Sequence, residues 1–390
     1  MTLRERLRRN PIIVFLYWLP VRFFLIIARF FPLQNKIVFD NFRGKGLGND
    51  PKYILLQLIK DGVKAKYIWL LNDFSEDMPK EVKKIQYGSW KATYHYLTAK
   101  VWIDDVKSNP KPKKRKGQFY LQTWHGSFGI KKVEQAVESI LSPDYVKLAK
   151  KDSEKTDLMY ANHTFQQNLF KTSFWYKGNV IRSGLPRLSI IIHPTEQTKA
   201  IIYESLKIPS NKKIILYAPT FRKDNCLDPY LWDYHLILSA LRNKFKEDFV
   251  LLIRLHPNIS IKALNYPFSD EIIDATSYPD MDELMSVAQI MITDFSGTLI
   301  DIAITHKPVF IFAKDFYDYL NNDRGQCFPV EELPFPIATT ENEFLTNIEK
   351  FDIASFNHRT STFFEKIGLN EDGRGARNIV DIVINQLKKQ

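Results

Sequence analysis

Ile292-Thr293-Asp294-Phe295-Ser296-Gly297-Thr298-Leu299-Ile300-Asp301 is the stretch around which the chain is organised. Ala288 to Ile292, just before it, is an apolar run that reads as a buried strand, and Leu299 to Ile304 reads as the start of a helix. Ser296, Gly297 and Thr298 fall in the turn between them. A strand-to-helix turn places hydroxyls and backbone N–H groups at a helix N-terminus, where the helix dipole favours an anion such as a phosphate. Gly297 allows close backbone approach. An ordinary N-cap would use the same residue types, because Asp, Ser and Thr all cap helices.

Working outward, two other strands of the second half end in polar residues. Lys213 to Tyr217 leads into Ala218-Pro219-Thr220-Phe221-Arg222, and Phe249 to Arg254 leads into Leu255-His256-Pro257. Ile272–Asp274, Val309–Phe312 and a helix over Asp282–Ala288 complete this half, with a loop or short helix at Asp315–Tyr319. Thr220, Arg222, Arg254, His256, Asp294 and Ser296 to Thr298 would therefore converge at one sheet edge, where open α/β sheets bind ligands.

The first half alternates in the same way. Strands are expected at Lys36–Asp40, Lys66–Leu71, Lys83–Tyr87, Val101–Asp104, Phe119–Trp124, Asp157–Ala161 and Val180–Ser183, with helices at Pro51–Lys60 and Ser89–Thr98. The pattern predicts an α/β chain of parallel sheets covered by helices. The glycine-rich turn Asn41 to Gly48 could hold an anion, although it is neither a P-loop nor GxGxxG. His125, with Gly126 and Ser127, follows the Phe119–Trp124 strand, a position suited to proton transfer near neutral pH. Lys131 and Lys132 come next. His163 reads as a loop or cap residue, and the run Lys111–Lys116 as a solvated basic loop. Apolar periodicity is lost over His193–Lys199, which sets the domain boundary at 195/196.

The 390 residues imply two domains. Two distant cysteines, Cys226 and Cys327, exclude a disulfide framework and fit a reducing compartment. A net charge of +11 points to a polyanionic partner. Nucleic acid is not expected, because no recognised motif appears and the aromatics are not interleaved with a basic stripe. Residues 1–35 combine Arg4, Arg6, Arg8 and Arg9 with an apolar run interrupted by Pro20, Arg22 and Arg29. No small-residue cleavage site follows, and the run is broken for a membrane span of about 20 residues. The segment reads as a helix lying in an anionic membrane interface. The alternative is a helix packed on the protein's own core.

Together these pieces resemble the CDP-glycerol glycerophosphotransferase family, the teichoic acid primases and polymerases, from about Lys36 onward. Trp124-His125-Gly126 with Lys131-Lys132 is similar to the family's Trp-His-Gly-Thr…Lys-Lys. Gly184-Leu185-Pro186-Arg187 is similar to Gly-Tyr-Pro-Arg-Asn, Tyr217 to Arg222 to Tyr-Ala-Pro-Thr-Trp-Arg, and Arg254 to Pro257 to Arg-x-His-Pro. Tyr278-Pro279-Asp280, Ile292 to Ser296, Asp301, Lys307-Pro308 and Arg324-Gly325 follow its C-terminal signature in order. The 41–48 turn is similar to the Gly-Lys-Gly turn of the primase-like members.

The resemblance implies a GT-B fold: two Rossmann-like domains facing a cleft, residues 36–195 for the acceptor and 196–390 for a CDP-polyol donor. It implies peripheral attachment to the inner membrane face and a lipid-linked saccharide or polyol-phosphate acceptor. It implies His125 as catalytic base, with His256 and the Ser296 turn meeting the donor phosphates. Gly126, Ser127, Lys131, Arg187, Thr220, Arg222, Arg254, Asp294, Ser296, Gly297, Thr298, Asp301 and Arg324 would contact substrate. No metal or other cofactor is expected, since no carboxylate pair is dedicated to one. Two departures bear on which polyol is used: Gly297 replaces the second Ser of a Ser-Ser pair, and Leu188-Ser189 replaces Asn-Asp. The short N-terminal part leans toward a primase or short-chain enzyme. A nucleotide-sugar glycosyltransferase and a non-catalytic membrane-bound assembly component are the alternatives, and a homo-oligomer stays open.

Overall fold

The structure is a computed structural model that describes residues 11–126, 131–222, 226–256, 259, 268–319 and 325–389. The first sheet is built from β1 (Gln34–Asp40), β2 (Lys66–Leu71), β3 (Val82–Gln86), β4 (Ala99–Asp104), β5 (Phe119–Gln122), β6 (Leu158–Ala161) and β7 (Asn179–Arg182). Its order is β3-β2-β1-β4-β5-β6-β7, and its pairings are parallel. The second holds β8 (Lys213–Tyr217), β9 (Phe249–Ile253), β10 (Ile272–Asp274), β11 (Ala288–Thr293), β12 (Val309–Phe312) and β13 (Ile337–Ala338), ordered β10-β9-β8-β11-β12-β13, again parallel. The central strands form because they are apolar runs that helices bury on both faces, as parallel sheets require; Ile214, Ile215, Leu216, Ile290, Met291 and Ile292 are all buried.

The helices, in chain order, are α1 (Pro11–Ala28), α2 (Asn49–Lys60), α3 (Trp90–Thr98), α4 (Pro143–Lys155), α5 (Thr164–Ser173), α6 (Leu188–Ile192), α7 (Glu196–Ser205), α8 (Tyr234–Phe245), α9 (Met281–Val287), α10 (Thr298–Ala303), α11 (Phe316–Tyr319), α12 (Glu341–Lys350), α13 (Ile353–Ile367) and α14 (Gly375–Lys388). The last of these returns to the first sheet, packing on α2 and β4, where Lys100 Nζ donates to the Leu387 carbonyl at 2.7 Å.

Both sheets reverse direction of strand order once, between β1 and β4 and between β8 and β11. Those switch points are where a doubly wound sheet opens a crevice beyond its strand ends. Register keeps the ends level: Asp40 lies opposite Asp104, and Asp104 opposite Gln122.

Several local expectations change. The basic run is no solvated loop. Lys111 is buried, with Nζ 2.7 Å from both Asp104 and Asp152; Lys114 pairs with Asp157; Arg115 donates to the Phe31 and Leu97 carbonyls, each at 2.8 Å. The stretch His193–Lys199, read as having lost periodicity, runs into α7, which starts at Glu196 under a Thr195 cap. Helix α1 runs through Pro20. β5 stops at Gln122, because Trp124 takes a left-handed φ of 58° and its N–H bonds the Gln122 side chain at 2.9 Å. His163, expected as a loop or cap residue, does cap α5, accepting at Nδ1 from the Gln166 N–H.

Candidate active site

The loop after β1 is the most constrained element of the cleft. Phe42, Arg43, Gly44 and Gly46 all have positive φ, at 42°, 60°, 79° and 113°. Two buried carboxylates hold this conformation: Asp40 accepts from the Gly44 N–H and Asp105 from the Phe42 N–H, both at 2.8 Å. Gly44 is needed here twice over, since a Cβ would also sit 2.8 Å from that of Tyr87. Burial, and then the neighbouring Asp104, push the Asp40 carboxyl up to about 8. The turn carries Lys45 out over the cleft.

On the facing domain, Asp294 at the end of β11 ties two loops together. Its carboxylate accepts from the Thr220 N–H at 2.9 Å, the Thr220 hydroxyl at 2.6 Å and Arg222 Nη1 at 2.9 Å. Arg222 also grips Asp315 with two bonds, at 2.6 and 2.9 Å, and lies over the Phe295 ring. Arg254 donates to the carbonyls of Ala275 and Tyr278 and so shapes the wall at 277–282. The Thr298 hydroxyl donates to Ser296 Oγ at 2.9 Å, which leaves the Ser296 proton for another acceptor. Gly297 sits at φ −64°, so its left-handed freedom is not used.

Between the domains lies a cavity of about 690 Å³. Phe42, Lys45 and Asn49 line it from one side; Thr220, Arg254, His256, Ser277, Asp280, Ser296 and Thr298 line it from the other. His256 opens onto this space, and partial loss of solvent within the cleft, then the Lys45 charge, lower its pKa.

His125 stands one ring away. Its centroid is 4.9 Å from Phe42 and 4.0 Å from Trp124. Nδ1 lies 2.8 Å from the Asp105 carbonyl. A carbonyl can only accept, so Nδ1 carries the proton and Nε2 keeps its lone pair. Burial pushes the His125 pKa below the usual imidazole range, more than the Asp105 carbonyl raises it. The ring is therefore neutral at neutral pH, the form a general base needs. His125 also lines a second cavity of about 520 Å³.

The other expected site residues lie elsewhere. Arg187 is buried between the domains, with Nη2 2.6 Å from Asp301 and further nitrogens 3.6 Å from Asp282 and 3.8 Å from Asp50. Beside it Lys52 Nζ is 2.6 Å from both Asp280 and Glu283. Arg187 and Asp301 thus join the domains, while Arg222 and Asp294 brace the cleft loops from beneath. Lys131 bridges to Gln326 across the domains. The Gly126 carbonyl accepts from Gln166 at 2.8 Å. Ser127 and Arg324 lie outside the described residues. Sequence reasoning named the 41–48 turn as an anion site without singling out Phe42 or Lys45, and it missed Asp105, which is buried behind the cleft and braces Phe42 and His125; the strand-end Asp104-Asp105 pair could have flagged it.

Comparison with known proteins bears on the family and the fold. A Staphylococcus epidermidis teichoic acid poly(glycerol phosphate) polymerase is 26% identical over 368 residues, which is 91% of this chain and 51% of the relative. The chain thus spans about half that protein's length. A Bacillus spizizenii polymerase of the same description is 26% identical, covering 93% of this chain and 96% of its own. The Bacillus subtilis teichoic acid glycerol-phosphate primase is 29% identical over 76% of each chain. A solved structure of the wall teichoic acid polymerase TagF shares the fold with a TM-score of 0.84 at 24% identity, covering 100% of this chain and 99% of that one. Another structure of that polymerase, a variant soaked with CDPG, has a TM-score of 0.82. A family profile described as CDP-Glycerol:Poly(glycerophosphate) glycerophosphotransferase matches residues 22–385, and the chain belongs to that family.

Proposed function

We propose that the protein transfers a polyol phosphate, glycerol phosphate first among them, from a CDP-polyol to a hydroxyl of a lipid-linked acceptor in teichoic acid or capsule-type polymer synthesis. The observation that carries this reading is the neutral His125, its Nδ1 proton fixed by the Asp105 carbonyl, beside a cleft lined by Lys45, His256, Ser296 and Thr298, side chains suited to a phosphate. The acceptor hydroxyl attacks the β-phosphorus as Nε2 takes its proton. The bond from that phosphorus to the bridging oxygen breaks, and CMP leaves. Lys45, His256 and the Ser296 hydroxyl stabilise the charge that develops on the phosphates, which is most of what phosphoryl transfer asks of a protein. Thr220 and Arg222 act through Asp294, holding the loops that present these groups. Residues 36–195 carry the acceptor and, up to the returning last helix, residues 196–390 the donor.

The reading includes a membrane-bound enzyme. No helix among the described residues is long and apolar enough to cross a membrane. Helix α1 packs one side on α3, through Phe24 against Trp90 and Tyr94. Leu19, Phe23, Ile26, Ile27 and Phe30 remain exposed on the other side, Phe30 at 82%. Their spacing makes one apolar stripe, flanked by the exposed Arg22. Such a stripe suits the interface of an anionic inner leaflet.

A donor panel tests the reaction class. CMP release from CDP-glycerol or CDP-ribitol, with a lipid-linked disaccharide as acceptor, is expected. Transfer from a UDP-sugar instead would replace this reading with a glycosyltransferase.

A further inference from the structure

The second cavity beside His125 shares no lining residue with the cleft assigned to the donor. Phe42 lines the cleft and His125 lines this cavity, and the two rings touch. The cavity and the cleft therefore adjoin at the His125–Phe42 ring contact. Glu134 and Tyr145 lie on the cavity's wall, and the Tyr145 hydroxyl donates to Glu134 Oε1. Ser108, Ser142 and Trp124 add two hydroxyls and an indole, and Ile140 and Leu141 add apolar surface. Lys107, the cation in this wall, is committed: its Nζ donates to the Phe174 carbonyl at 2.5 Å and lies over the Phe174 and Trp175 rings.

Two residues of the wall are held in a backbone conformation that bulky side chains rarely adopt. Trp124 has φ 58° and Glu134 φ 53°. Strain of this kind persists where the surrounding structure fixes it and gathers at ligand sites. The Glu134 carboxylate in this wall disfavours a phosphate, since like charges repel. Carboxylate, phenol, hydroxyls and an aromatic ring together favour an uncharged unit rich in hydroxyls, whose O–H groups donate to the carboxylate while its C–H face packs on apolar surface.

We propose that this cavity seats the terminal unit of the acceptor, an uncharged polyol or saccharide residue, and that Glu134 and Tyr145 bind its hydroxyls so that one reaches His125. The inference rests on the transferase reading above. Glu134 and Tyr145 are then binding residues that set acceptor specificity and take no part in proton transfer. An acceptor that already carries a polyol phosphate would place its terminal polyol here and its phosphate outside.

The test is steady-state kinetics of the full chain, with CDP-glycerol and a lipid-linked disaccharide varied independently. Glu134→Gln and Tyr145→Phe are expected to raise the KM for the disaccharide about tenfold, the effect of losing one hydrogen bond to a charged group. The KM for CDP-glycerol should move less than about twofold. Should either variant fail to fold, Ile140→Trp, at a residue 57% exposed on the rim, fills the mouth of the cavity and should raise the same KM. An unchanged disaccharide KM in folded variants would overturn the inference while leaving the transferase reading intact. So would an equal rise in both KM values, since that marks a general structural fault. Failure of the wild type to release CMP would instead overturn the transferase reading, and this inference with it.

Discussion

Replacing Arg187 by Met removes the cation at the centre of the domain interface. The Arg187 side chain is 5% exposed, and its partners Asp50, Asp282 and Asp301 are exposed by 2%, 7% and 2%. Breaking a buried ion pair by deleting one partner costs about 3–5 kcal/mol, because a charge is left without compensation. Three carboxylates lose their partner here, which puts Arg187→Met at the upper end of that range. The loss should depend on pH. Burial raises the Asp50 and Asp282 pKa values, and Arg187 lowers both. Without the Arg187 side chain the raising influences are opposed at Asp50 only by the backbone N–H of residue 187 and the Tyr160 hydroxyl. An acid whose folded pKa is raised contributes stability that is present below its unfolded pKa, near 3.8, and lost as pH rises through the folded value. The deficit of Arg187→Met should therefore be smallest near pH 5 and largest near pH 8. Urea unfolding followed by tryptophan fluorescence measures it. Adding Asp301→Leu should recover part of the loss, since apolar replacement of a buried pair is often neutral. A deficit below about 1 kcal/mol, or one that grows toward acid, would refute the reasoning.

Three further predictions are more local. Lys111→Met should destabilise by about 3–5 kcal/mol, since it leaves Asp104 and Asp152 buried without their cation, whereas Lys116→Ala on the exposed end of the same run should stay within about 0.5 kcal/mol; thermal unfolding of both separates a buried ion pair from a solvated loop. The kcat/KM profile should stay flat from pH 8 down to about 6.5 and fall only below it, because burial lowers the His125 pKa and keeps the base neutral; an acid limb centred above that value would contradict the assignment. Phe23→Ser and Phe30→Ser should each reduce binding to anionic vesicles about tenfold in a flotation assay, the cost of losing roughly half of one phenylalanine's burial; unchanged flotation of the double variant would remove α1 from the membrane contact.

The alternation of strands and helices was legible because most strands are short apolar runs, and the change to period 3.6 marks a helix. What the sequence concealed depends on partners far away along the chain. Arg187 and Arg222 occupy motif positions that resemble ligand contacts, yet their nearest carboxylates, Asp301 and Asp315, lie 114 and 93 residues on. No local pattern reveals such pairing. Lys111 looked solvated for the same reason, since Asp152 comes 41 residues later. His125 was legible as a candidate from its place after a strand. The Asp105 carbonyl that sets its tautomer was not, because main-chain partners leave no trace in residue type.

CMP release from CDP-glycerol, with a lipid-linked disaccharide as acceptor, measured for the wild type and for His125→Ala, tests the central claim most directly. The base assignment predicts turnover by the wild type and a loss of about 10²–10⁴ in kcat for a folded His125→Ala, with the donor still bound. Equal turnover by both proteins would contradict it.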